Sequence, residues 1–345
     1  MSAIRQRGFT LMEMMVGITL GLLGMLAVTE ALITFNASRN ATTQTMESQN
    51  DGTMALYLLE RDLIQAGYGL MTIQDCAVIN WYYNSALQTP LATLPVSITD
   101  GGIASDSLAV QYANPSTGIP ATTISQSQLG FADNLFVASI VGVAVNDLVV
   151  ADVSGTCTLY SVTAVNNANS SLLHTANAYN PTSDPGAGWN LVQVSNTLAN
   201  LGTDPTLNLS SRFVSRRLSV SPTGLSVGDF PSYGNSTLVD GIVYMKAQYG
   251  RDTNGDGAVD TWSSGAWIPD NTTSNQVIAV RIGVVARSQE KISVLSPTAI
   301  PLLPELKDTV GTVIGARVDY TPADTAYRYK AYSTIIPLRN VIWNN

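Results

Sequence analysis

The chain has 345 residues, of which 45% are hydrophobic and only 12% charged, and its formal net charge is -8. An acidic surface of this kind repels phosphate backbones, so no nucleic acid is expected among its partners. Few charges together with much Ser, Thr, Asn and Gly predict a β-rich molecule rather than a helical bundle.

Residues 1–8, MSAIRQRG, carry Arg5 and Arg7 and precede an apolar run from Phe9 to Thr29 that contains one charge, Glu13. A run of ~20 apolar residues spans a bilayer core, whereas a cleaved secretory segment has an apolar stretch of ~7 to 15. Basic residues stay on the cytoplasmic side, so everything after Thr29 is expected on the far face of the membrane. Gly17 and Gly21 form a G-x-x-x-G pair with Gly24 close by, a pattern that lets neighbouring membrane helices approach. A carboxylate at the position of Glu13 costs up to ~2.5 to 3.5 kcal/mol in such a run. The positive end of the helix dipole offsets part of that cost, and a free α-amine at Phe9 would offset more. That amine exists only if the chain is cut after Gly8. An uncut signal anchor with a chance glutamate is the plainer alternative.

No proline occurs before Pro90, so the helix is expected to continue past the membrane to about Gln65, a rod on the order of 85 Å, with Gly67 and Gly69 ending it. Residues 31–66 read as its amphipathic half. Glu60, Arg61 and Asp62 lie between apolar positions and read as its solvent side.

Beyond Gly69, short β-branched and apolar runs near 107, 134, 147 and 158 predict strands. The stretch 173–190 reads as a loop, and His174 at its start reads as a surface or hydrogen-bonded residue. TLVDGIVYMKAQYG, QVIAVRIGVVARSQ, GARVDYTP and AYRYKAYSTIIPLRN predict a second strand group, the last three as an antiparallel sheet with one buried face. SPTAIPLLPELKDTV between them reads as a proline-marked connection. A division of the head near 230 is expected, giving 67–230 and 231–345.

Cys76 and Cys157, far apart in the chain, are expected to form one disulfide in an oxidising compartment, with two buried free thiols as the alternative. In DTNGDGAVD, Asp252, Asn254, Asp256 and Asp260 place side-chain oxygens at alternate positions, Gly257 turns the chain and Ala258 offers its carbonyl. That pattern wraps a hard cation, so structural calcium is expected there. Ser263 stands where an EF-hand has its bidentate glutamate, so a shorter calcium loop is the better description. A polar hairpin turn without metal is the alternative. One histidine and no catalytic motif leave an enzyme reading without support.

Two sets of residues carry a family resemblance. Gly8 to Glu13, GFTLME, resembles the type III signal of type IV prepilins. The resemblance implies cleavage between Gly8 and Phe9 by a prepilin peptidase, N-methylation of Phe9, and pairing of Glu13 with the terminal amine of a neighbouring subunit. ERDLIQAGYG, VIAVRIGVVARS and YSTIIPLRN are similar to PilW-type minor pilins. That implies an α+β pilin-like fold: a long N-terminal helix, membrane-spanning over 9–30, packed on a large antiparallel β head with an extra β region. It also implies an inner-membrane precursor with a periplasmic head, later incorporated into the pilus near its tip. Other minor pilins, the major pilin and a large tip adhesin would be its partners. A minor pseudopilin of type II secretion, or a membrane-anchored calcium-dependent binding module, are the competing readings.

Overall fold

The longest element is the helix Leu11–Gln65, 55 residues and ~82 Å at 1.5 Å per residue. It belongs to a computed structural model that describes residues 10–68, 78–92, 94–113, 122–126, 134–153, 156–182, 206–209, 213–230, 234–269, 273–291 and 298–342. Gly8, Phe9, Gly69 and Cys76 lie outside the described residues. Gly67, at φ +78°, turns the chain out of the helix in a conformation that suits glycine. Asn340, from the far end of the chain, donates its side-chain amide to the carbonyls of Ile64 and Ala66 at 3.2 and 3.1 Å. Those carbonyls have no partner within the helix, so the C-terminal segment caps it.

The helix changes character at Gln44. Gln44, Ser48, Gly52, Ala55, Leu59, Asp62 and Leu63 form a buried stripe at intervals of three and four, one face of a 3.6-residue period. The stripe lies on a four-stranded antiparallel sheet, in the order Thr261–Ser264, Ile242–Arg251, Val277–Arg287, Tyr329–Pro337. At Gly52 an added Cβ would fall inside the Tyr332 ring, so only glycine lets the helix reach the sheet here.

The sheet departs from the expectation of one buried face. In Val277–Arg287 every residue but the last is buried. Val280, Ile282, Val284 and Ala286 join the helix core, while Val285 joins Tyr244, Leu302 and Leu303 on the other side. The expected connection at 296–310 supplies that cover. It contains the strands Ile300–Leu303 and Leu306–Lys307, which pair with Val318–Tyr320 and Val313–Gly315.

A five-stranded sheet, ordered Ser236–Asp240, Gly224–Asp229, Phe213–Val220, Ser107–Ala113, Val96–Thr99, shares the helix core through Val96, Leu108, Val110, Leu218 and Leu225. Gly224–Asp229 and Ser236–Asp240 pair across position 230, so this sheet runs through the expected division. Leu148–Val153 and Thr156–Ser161 form a hairpin in a further six-stranded sheet with its own small cores. The run near 134 is strand only at Leu135–Phe136. Gly142 and Asn146, at φ +78° and +72°, fold the rest into turns.

Candidate assembly helix and acidic loop

Residues 11–43 precede the first buried helix position and reach ~50 Å beyond it. Their large apolar side chains are open, from Leu11 at 79% exposure to Phe35 at 66%. This is the one helix among the described residues long and apolar enough to cross a membrane. A continuous apolar face of this size needs a cover, either lipid or other protein. Gly17, Gly21 and Gly24 have nothing within 4 Å of a notional Cβ, so another helix meets no obstacle there.

Thr10 and Glu13 form a capping box. Glu13 Oε2 accepts from the Thr10 backbone N–H at 3.1 Å and from the Thr10 hydroxyl at 3.0 Å, and Thr10 Oγ1 accepts from the Glu13 N–H at 3.3 Å. In the lone chain Glu13 therefore caps its own helix. All of these contacts are exposed, so a stronger donor such as a terminal amine can compete for the carboxylate.

The loop after Ile242–Arg251 folds around Asp252, which is nearly buried. Asp252 accepts backbone N–H groups of Gly255 at 2.6 Å, Gly257 at 2.7 Å and Asn254 at 3.2 Å. Desolvation alone would raise this carboxyl, but the N–H groups of Gly257, Gly255 and Asn254 hold it below the ordinary aspartate value. Asp260 accepts the Thr253 hydroxyl and N–H, each at 2.7 Å, and the same bonds hold it low. Both carboxylates are thus ionised at neutral pH. The Asn254 amide nitrogen lies 3.2 Å from both Asp256 Oδ2 and Asp260 Oδ1 and donates to both. Asp256 Oδ1 accepts the Ala258 N–H at 2.8 Å. Among the described residues, no group of three or more His, Cys, Asp or Glu is arranged to hold a metal ion. The oxygen donors have the right chemistry for calcium, and rotation of the Asn254 amide would have to bring its oxygen inward. Ser263 pairs with Tyr249 in the sheet and takes no part.

Cys157 is fully buried, while Cys76 lies outside the described residues. His174 is not a surface residue: it is buried, edge-on to the Tyr160 ring at 5.7 Å.

Three polar anchors were not read from the sequence. Asp62, expected on the solvent side, is 1% exposed and accepts both bonds from Arg216 Nη1, at 3.2 and 3.1 Å, while Arg216 Nε donates to Asp229 at 2.7 Å. Burial opposes the charge of Arg216, but Asp229 and Asp62 outweigh it and raise its pKa. Lys246 Nζ bonds Asp106 at 2.6 Å and the Gly102 carbonyl at 2.7 Å. Arg281 is 2% exposed and is held by neutral acceptors: Gln248 Oε1 at 2.6 Å, and the carbonyls of Pro304 and Ala316 at 2.7 and 2.8 Å. The spacing of Asp62 from Ala55 and Leu59, and a lone Arg281 within an apolar run, were the signals available.

The model for type IV pilus-assembly protein W matches residues 215–340, and that for the prokaryotic N-terminal methylation motif matches residues 4–29. The chain is type IV pilin-like and similar to the PilW type over those residues. The two matches support a pilin involved in type IV pilus assembly, and the apolar helix fits a membrane-anchored one. The PilW match contains Lys246, the acidic loop and Arg281, together with Arg216 and Asn340, which tie the head to the helix. Among solved structures, a type IV-like pilin from Thermus thermophilus is similar at 9% identity over 85% of this chain and 97% of that chain. Its TM-score is 0.39, too low to carry an argument. No curated protein sequence matches the chain.

Proposed function

We propose that this pilin is a PilW-type minor subunit that primes or joins type IV pilus assembly near the filament tip. The observation that carries the proposal is the bare apolar helix, open from Leu11 to Phe35 and beginning at a methylation motif. In this reading a prepilin peptidase cuts between Gly8 and Phe9 and Phe9 is methylated. The helix first spans the inner membrane once with the head in the periplasm, then passes into the filament. Glu13 exchanges its Thr10 contacts for the terminal amine of a neighbouring subunit. Other minor pilins, the major pilin and a large tip adhesin are the partners. Its role is structural rather than enzymatic.

In a strain lacking the chain, Glu13→Ala expressed at native level is expected to lose residues 1–8 normally yet fail to restore pili. Normal piliation would remove Glu13 from assembly.

Calcium bound by Asp252, Asn254, Asp256, Ala258 and Asp260 would fix the loop that leads into Thr261–Ser264. Its removal by chelation is expected to lower the melting temperature of the full chain in detergent, and restored calcium to recover it. An unchanged melting temperature would reject the site. A Cys76–Cys157 bridge completes the proposal, and thiol labelling of native, unreduced protein at either residue would refute it.

A further inference from the structure

Glu13 is not the only carboxylate in the exposed apolar helix. Between Glu13 and Glu47 the sequence contains one acid, Glu30, and one base, Arg39. Apolar side chains stand on both sides of Glu30: Leu26 and Val28 before it, Leu32, Ile33 and Phe35 after it, each more than half exposed. Among the described residues neither the Glu30 nor the Arg39 side chain has a hydrogen-bonding or ionic partner. They cannot pair with each other, because nine residues of helix separate them by ~13.5 Å along the axis and place them on opposite sides.

Position decides what Glu30 meets. It lies 17 residues beyond Glu13, ~25 Å along the helix, close to the thickness of a bilayer hydrocarbon core. With the helix in a membrane, Glu13 and Glu30 fall near opposite interfaces, where a carboxylate reaches water or headgroups. Once the apolar helix leaves lipid and is covered by other helices, Glu30 lies inside the apolar band, which continues to Phe35. An ionised carboxylate there needs a counter-charge from outside its own helix.

We propose that Glu30 docks against a parallel helix of a second pilin-class subunit that presents a basic side chain to it. The inference rests on the pilin reading and goes beyond it by locating a second electrostatic contact. The occupant is argued from charge complementarity. A helix of the same pattern, shifted by about nine residues, brings an arginine equivalent to Arg39 to the level of Glu30, while flanking apolar residues pack. Lipid alone supplies no fixed cation at that depth after extraction. Glu30 sets which stagger of neighbouring helices is accepted, since a mismatched shift leaves its charge buried and unpaired.

The test uses full-length protein in the filament fraction of cells assembling pili, with a photo-crosslinking amino acid at Ile33, one turn from Glu30 on its side of the helix. The expected crosslink joins the chain to a pilin-class subunit, identified by the mass of the joined peptide. Glu30→Lys is expected to lower its yield at least tenfold, and an acidic substitution at the basic residue found opposite should recover most of it. Leader removal should be equal in all variants. A yield insensitive to Glu30→Lys, a crosslink only to lipid, or a partner with no basic residue at that level would overturn the inference. An uncut leader, or normal piliation in the strain lacking the chain, would instead defeat the pilin reading itself.

Discussion

Arg281→Ala is expected to lower the unfolding free energy by about 3 to 5 kcal/mol, read as a shift in the urea midpoint of the full chain in detergent. The guanidinium is buried in the sheet and bonds Gln248, Pro304 and Ala316, so it fastens the 300–320 strands over the face opposite the helix. Truncation leaves three buried acceptors short of a donor and opens a cavity beside Gly315, which packs against the Trp262 ring and the Arg281 guanidinium. Lysine should rescue poorly, because one ammonium cannot reach the divergent acceptors that a planar fork spans. A loss under ~1 kcal/mol for alanine would mean that the 300–320 strands hold their place without it.

The second large effect is expected at Arg216. Its loss leaves Asp62, almost wholly buried on the helix, with only Arg61 at 3.4 Å, itself 47% exposed in its side chain. A buried carboxylate stripped of its main partner costs on the order of 3 kcal/mol, the figure being kept low because Arg216 is partly solvated. The double variant Arg216→Met, Asp62→Leu should be less damaged than Arg216→Met alone, since it removes the orphaned charge. If the double variant is the worse of the two, the pair contributes attraction beyond its desolvation cost.

The helix and the long C-terminal strands were legible because their signals are local, whereas Val318–Tyr320, expected in the main sheet, pairs instead with Ile300–Leu303. An unbroken run without proline and a terminal glycine define Leu11–Gln65, and β-branched runs define Ile242–Arg251 and Val277–Arg287. Burial on both faces of Val277–Arg287 was not legible from the strand alone, because it depends on a hairpin formed by residues 300–320. Asp62 read as solvent-facing by type although its spacing from Ala55 and Leu59 places it on the buried stripe. Here the period outranked the charge, because Arg216, 154 positions away, accompanies the carboxylate inside. The acidic loop was recognised by its alternating oxygens. That Asp252 spends them on the N–H groups of Gly255 and Gly257 follows only from the folded turn.

The pilin account stands or falls on the bond between Gly8 and Phe9, from which a free amine, methylation and the Glu13 contact all follow. Intact mass of the protein from cells with and without the prepilin peptidase tests it directly. The account predicts loss of residues 1–8 and gain of one methyl group only when the peptidase is present. A full-length, unmethylated chain in both strains would leave Glu13 without its amine and contradict assembly through this helix.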